Sequence, residues 1–300
     1  MTQRQSMEEL AHSLPRAVAR TLLQLPEGSV REIRIRAGEK TIIHTTEGAQ
    51  ACGQEPTPQQ VGQMAEALCE HALYARVEEQ RSGFVTLRGG HRMGMCGRVL
   101  VQGQSVRALR EISSLCIRIA GQWRGAADRL MPLLRDDGGR PLSTLIVGMP
   151  GAGKTTMLRD ALRRLSEAGI RVGVVDERSE IAAMSAGEAQ LEVGPNTDVL
   201  DGCCKEAGLR WMLRSMSPDV LATDELGTAM DVQAVQDCIA AGVSVLTTLH
   251  GRAVQPPPTR GILSQLVLHR SFDRYVLLNE KQVGQIAAVY DGQLHPMELL

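Results

Sequence analysis

The sequence predicts an α/β domain with a mostly parallel sheet, preceded by a smaller α+β domain, and three observations carry that prediction. From residue 144 onward, short apolar runs alternate with helical patterns. A glycine-rich loop joins the first of those runs to the first of those helices. The residues before 125 instead show hairpin-like texture, with paired glycines and alternating apolar and polar positions.

The first part opens on a helical pattern and continues into REIRIRAGEKTIIHT at 31–45, where Arg31, Arg34 and Arg36 alternate with Ile33 and Ile35. A half-buried strand with one basic face accounts for this pattern, and nucleic-acid contact is an alternative that nothing forces. A helical pattern follows over Thr57–Glu79, then the hairpin GFVTLRGGHRMGMCGRVLV at 83–101, whose glycine turn is expected to leave His91 exposed. RDDGGRPLS at 135–143 has the acids, glycines and proline of an exposed connection. The chain therefore divides into 1–125, a connecting segment 126–143 with a helix expected in AADRLMPLLR, and 144–300. The last part runs through LSTLIVG, a helix over TTMLRDALRRLSEAG, RVGVVDE, a helix over LRWMLRSMS, DVLATDE, a helix over MDVQAVQDCIAAG, and SVLTTLH. Trp211 is expected to pack with Leu213 and Met216, and AAVYDGQLHPMEL to form a closing hairpin about Asp291 and Gly292.

Composition narrows the function classes. With 300 residues and 43% hydrophobic content, the chain can fill two ordinary cores. A formal charge of −1 leaves no electrostatic footprint for bulk nucleic acid or anionic membrane, and 2% aromatic content disfavours stacking platforms for single strands. The 13 methionines read as core filler. The seven cysteines have no pairing rhythm, and the adjacent Cys203 and Cys204 lack zinc-knuckle spacing, which suits reduced thiols in a cytosol. No apolar run approaches the roughly 20 residues that span a bilayer, and the opening MTQRQSMEELAHSL is too polar for a signal sequence. A role at a membrane would be by docking.

GMPGAGKT, Gly148–Thr155, fits G-x-x-x-x-G-K-[ST] at every fixed position, after a buried-strand pattern and before a helical one. Gly148, Gly151 and Gly153 let the backbone curl so that consecutive N–H groups face phosphate at the positive end of the helix. Met149, Pro150, Ala152 and Thr156 complete the expected nucleotide contacts; Lys154 brings a point charge to the β- and γ-phosphates, and Thr155 offers its hydroxyl to Mg²⁺. In SPDVLATDELG, Asp224 and Glu225 fall at the carboxyl end of an apolar run, where open α/β sheets bind ligands. Asp224 suits the Mg²⁺ shell and Glu225 suits activation of water, while capping of a helix beginning near Thr228 is the alternative. A histidine such as His250, standing alone after a strand, is by itself no signal of chemistry.

Taken together, GMPGAGKT, VVDERSEI at 174–181, RSMSPDVLATDELG at 214–227 and SVLTTLHG at 244–251 resemble the stage III sporulation AA family. The ATPase domain of that family is similar to the secretion-superfamily ATPases of type II and type IV systems. REIRIRAGEK, the 83–101 hairpin and EISSLCIRIA extend the resemblance over most of the chain. It implies a RecA-like P-loop ATPase in which SVLTT is an extra strand between the phosphate-loop and Walker-B strands, with Thr247, Thr248 and His250 near the γ-phosphate. His250 would sense or position that phosphate. VVDERSEI takes the place of the aspartate box: Asp176 contacts the Mg²⁺ shell, and Glu177 and Glu180 act in catalysis or couple nucleotide state to the other domain. A surface cluster with Arg178 is the competing reading. This chain carries Asp224-Glu225 where secretion ATPases have Gly-Glu.

The resemblance further implies ATP and Mg²⁺ as ligands and a homo-oligomer, in the family's manner a hexameric ring. An arginine from the first domain would reach the nucleotide, with Arg92, Arg98, Arg107 and Arg110 as candidates. The expected function is an ATPase in the cytoplasm, docked on membrane-embedded subunits on the mother-cell side, energising a secretion-like channel or assembly complex during endospore formation. A RecA-class nucleic-acid motor, a small-molecule phosphotransferase and a nucleotide-binding scaffold without turnover are the rivals, and no nucleic-acid partner is expected.

Overall fold

The computed structural model describes residues 3–70, 83–102, 105–255 and 260–298. The chain forms two units, Met1–Gln122 together with Ala183–Leu191, and Trp123–Ala182 together with Glu192–Leu300.

The first unit contains helices α1 (Gln3–His12) and α2 (Arg16–Gln24), strands β1 (Val30–Arg36), β2 (Glu39–Thr45) and β3 (Ala49–Cys52), and helix α3 (Pro58–Leu68). Strands β4 (Phe84–Thr86), β5 (Arg92–Gln102) and β6 (Ser105–Arg118) follow. The sheet order is β3-β2-β1-β6-β5-β4 with antiparallel neighbours throughout. Alternation along β1 puts Ile33 and Ile35 into the core with Ile43, Ile117 and Met93, where Val18, Leu22, Val61 and Ala65 of the helices join them. Each buried isoleucine contributes roughly 1.5–3 kcal/mol, so this apolar face sets the register. On the other face Arg34 donates to the carboxylate of Glu32. Helix α3 starts at a capping box in which Gln60 N–H donates to the Thr57 hydroxyl at 3.2 Å and Thr57 N–H to Gln60 Oε1 at 2.8 Å. The predicted helix over Thr57–Glu79 runs past residue 70 into positions outside the described residues.

His91 is not exposed: it is fully buried. Its Nε2 shares a hydrogen bond with Ser6 Oγ at 2.7 Å, and Nδ1 accepts from Ala120 N–H at 3.1 Å. Burial pushes its pKa down to about 4.

The second unit begins with β7 (Thr144–Gly148), α4 (Lys154–Glu167) and β8 (Val172–Asp176). The chain then makes an excursion, since β9 (Met184–Ser185) and β10 (Glu188–Ala189) form a two-stranded antiparallel hairpin within the segment assigned to the first unit. It returns through β11 (Thr197–Asp201), α5 (Lys205–Ser215), β12 (Val220–Thr223), α6 (Ala229–Ala240), β13 (Ser244–His250), α7 (Ile262–Leu268), β14 (Arg274–Leu278), β15 (Ile286–Asp291) and β16 (Pro296–Met297). The sheet order is β11-β8-β12-β13-β7-β14-β15-β16. Neighbours from β11 to β14 are parallel, whereas β14-β15 and β15-β16 are antiparallel, so the sheet is mixed. The turn Asn279–Gln285 is too short for a parallel crossover, which needs about a dozen residues.

Two local expectations give way. AADRLMPLLR forms only a 3₁₀ turn at Met131–Leu133, where Pro132 lacks the amide hydrogen an α-helix requires. Trp211 is 65% exposed, because α5 turns Gly208, Leu209 and Met212 inward instead. No disulfide joins any of the seven cysteines, and among the described residues no helix is long and apolar enough to cross a membrane.

Candidate nucleotide-binding site

Parallel pairing brings the carboxyl ends of β7, β13 and β12 side by side. In register, His250 lies opposite Gly148, and Thr247 opposite Thr223. The strand SVLTTLH thus lies between β7 and β12, the strand that leads into Asp224.

The loop after β7 takes a left-handed turn at Gly151 and Gly153, with φ of 79° and 94°. A Cβ on Gly153 would come within 3.1 Å of Gly284 N, and Gly284 N–H donates to Ala152 O at 2.9 Å. Only glycine fits there, and the turn Asn279–Gln285 braces the loop. Lys154 opens α4 with its side chain buried, donating to Gly148 O at 2.9 Å and Met149 O at 3.2 Å. Glu225 Oε2 lies 3.5 Å from the same ammonium, and its side chain is 52% exposed. Thr155 and Thr156 follow, half-buried, in the first turn of α4, whereas Met149 is half-buried and Pro150 exposed before it. The amides of this helix start and the Lys154 charge together suit an anion of the polyphosphate type.

The two adjacent acids occupy different environments. Asp224 is buried, and burial pushes its carboxyl above the ordinary range against the pull of Lys205, whose Nζ lies 2.9 Å from Oδ1. Neither acid caps α6: Thr228 does so, its hydroxyl accepting from Asp231 N–H at 3.1 Å while Asp231 Oδ2 accepts from Thr228 N–H at 2.9 Å.

Asp176 has a different setting from the one expected. It is fully buried and accepts three backbone N–H groups, from Glu180 at 2.7 Å, Ile181 at 3.0 Å and Ala182 at 2.8 Å. Its oxygens are thereby engaged in folding the loop rather than presented to a metal. Arg159 of α4 holds the same loop from the other side, donating to Ile181 O and Glu180 O, each at 2.6 Å. Burial pushes that guanidinium down to about 10, against the pull of Asp176 and Glu180. Glu177 pairs with Lys205, the first residue of α5. Burial works to lower the Lys205 ammonium, but hydrogen bonds to Glu177 and Asp224 outweigh it and hold it above the ordinary value. Sequence reasoning missed Arg159, Lys205 and the 279–285 turn; the one signal for Lys205 is a cation at a helix start, where the macrodipole disfavours it.

Thr247 and Thr248 are buried, and the Thr247 hydroxyl donates to Asp224 O at 3.1 Å, pinning the end of the neighbouring strand. His250 is exposed at the mouth of the loop. Among the first unit's arginines, Arg92 lies over the Phe84 ring at 4.2 Å and Arg98 pairs with Glu111 at 3.5 Å. Arg110 is exposed, and the side chain of Arg107 lies outside the described residues.

Among the described residues no cluster of three or more His, Cys, Asp or Glu side chains is arranged to hold a metal. Mg²⁺ is nevertheless compatible with the donor set, because it binds through one or two protein oxygens plus water and phosphate. Thr155 and Asp224 supply such oxygens.

Comparison with known proteins fits this geometry. The family model described as "Sporulation stage III, protein AA" matches residues 1–295. The chain is 39% identical over 295 residues to Stage III sporulation protein AA of Bacillus subtilis (strain 168), covering 95% of each. The X-ray structure of the Legionella pneumophila ATPase DotB is similar with a TM-score of 0.54 at 14% identity, over 83% of this chain and 72% of that one. The crystal structure of the pilus retraction motor PilT with bound ADP gives 0.52 at 15% identity, over 83% and 74%. These two likenesses are likenesses of fold.

Proposed function

We infer that this chain, which belongs to the sporulation stage III protein AA family, is a Mg²⁺-dependent ATPase whose turnover drives movement in a secretion-like channel or assembly complex during endospore formation. The observation that carries this reading is the meeting of the phosphate-loop lysine and the Walker-B glutamate, 3.5 Å apart at the ends of parallel strands.

In this reading the amides of Gly151–Thr155 bind the phosphate chain, and Lys154 turns from the carbonyls of Gly148 and Met149 to the phosphate oxygens. Mg²⁺, when bound with ATP, would be held by the Thr155 hydroxyl and Asp224 and would neutralise charge on the phosphates. Glu225, released from Lys154 by the same movement, accepts a proton from the attacking water at its carboxylate. His250 hydrogen-bonds the terminal phosphate and registers its loss. The loop folded on Asp176 runs directly into Ala183–Leu191, so displacement at Glu177 and Glu180 reaches the first unit through the chain itself. An arginine of the first unit completing the site of a neighbouring copy would make activity depend on assembly, as would docking on membrane-embedded partner subunits.

The test is phosphate release from Mg·ATP by the full chain across a range of protein concentrations, with and without single-stranded DNA. Turnover that rises with self-association and ignores DNA supports the reading. Acceleration by DNA at physiological salt favours the nucleic-acid motor, and bound ATP without release favours the scaffold.

A further inference from the structure

Lys205 is a buried ammonium at the first position of α5, where the helix dipole disfavours positive charge and no side chain caps the amides. What keeps it there is acidic: its Nζ touches the carboxylate of Glu177 and lies 2.9 Å from Asp224 Oδ1. Asp176 and Glu180 also act on Asp224, and Arg159 faces those two acids from α4. The cluster therefore has one cation beside each pair of carboxylates, and the cation beside Asp224 is tethered by the chain.

We propose that Lys205 determines how metal enters the site: its ammonium, seated between Glu177 and Asp224, excludes free divalent cations and makes metal loading depend on ATP. This rests on the ATPase reading for the identity of the nucleotide. The discrimination is local, since the cluster as a whole has four carboxylates to two cations, and the ammonium already occupies Asp224 Oδ1. A bare divalent cation approaching Asp224 meets a fixed positive charge within a few ångströms, in surroundings that screen it weakly. Mg·ATP brings phosphate oxygens that the same ammonium attracts, so the metal arrives already ligated and the ammonium gains new partners as it leaves Asp224. Lys205 touches no reacting atom in this account; it is a positioning residue that holds Asp224 and Glu177 in one cluster and keeps the metal position shut to ions arriving alone.

The test uses Mn²⁺ and the full chain without nucleotide, with binding followed by electron paramagnetic resonance. The wild type should bind Mn²⁺ weakly. Lys205→Met should bind it tighter by about tenfold or more. Lys205→Arg, which keeps the charge, should stay at the wild-type level, and adding Asp224→Asn to Lys205→Met should abolish the gain. Should Lys205→Met fold poorly, Mn²⁺ must raise its melting temperature while leaving the wild type unmoved. A folded Lys205→Met with wild-type Mn²⁺ affinity, or an unstable one that Mn²⁺ does not restore, overturns the proposal. Because no ATP is present, failure here is separate from failure of the turnover assay.

Discussion

Two loops at the carboxyl edge of one sheet, Gly148–Thr155 after β7 and Glu177–Ala182 after β8, treat their polar groups in opposite ways. In the first, Lys154 rests on two carbonyls and a half-exposed glutamate, partners it can exchange for phosphate oxygens. In the second, Asp176 accepts three amides and Arg159 donates to two carbonyls, with both side chains buried. The loop also holds Ser179 in the left-handed region at φ 52°, a conformation that costs of order 1 kcal/mol and persists where the surroundings impose it. The difference separates residues kept ready for a ligand from residues that fix the frame around it, although both sets are charged and both serve loops at the same edge of the sheet.

Substitutions should respect that division. Lys154→Ala should lower ATP affinity by about 100-fold, the worth of one to two charge-assisted hydrogen bonds, with little change in melting temperature. A large loss of stability would place Lys154 among the frame residues. Asp176→Ala should do the reverse, destabilising the second unit by about 3–5 kcal/mol in chemical denaturation, because it orphans buried amides and leaves Arg159 without its carboxylate. Loss of ATP binding with stability intact would return Asp176 to the metal site.

His91 extends the closed type of arrangement to the first unit. Its pKa falls from 6.5 to about 4 on burial, so the native state holds it neutral while the unfolded chain protonates it. Its contribution is fully present above pH 6.5 and is lost as pH falls toward 4, about 3 kcal/mol across that window. Denaturation of the wild type at pH 7 and pH 4.5, compared with His91→Gln, should show a smaller pH dependence in the variant. At the exposed mouth of the first loop, His250→Ala should reduce turnover by about tenfold while ATP affinity moves less than about twofold. Equal losses in both would make it a structural residue.

How much of this was legible in the sequence follows from how far apart the partners lie. GMPGAGKT is legible in eight consecutive residues, whereas Thr247 and His250, some ninety residues further on, are set beside it only by the resemblance to the family. Lys205 could not be read that way, since its meaning comes from Glu177 and Asp224, which only the parallel stacking of β8 and β12 brings together. The role of Asp176 was hidden for a related reason: a carboxylate bound for backbone amides looks in sequence like one bound for a metal. His91 looked exposed among glycines because Ser6 and the amide of Ala120, which enclose it, are remote in the chain. The antiparallel edge β14-β15-β16 was partly visible as the closing hairpin, but its attachment to β7 was not.

The central claim is that Glu225 works on water while Lys154 and its loop hold ATP. Glu225→Gln keeps the size and most hydrogen bonding of the side chain and removes its basicity, so it separates the two jobs. Phosphate release and ATP affinity measured together on the assembled wild type and this variant should show turnover lower by about 100-fold or more with affinity within about twofold. Phosphate release by Glu225→Gln at the wild-type rate would contradict the account.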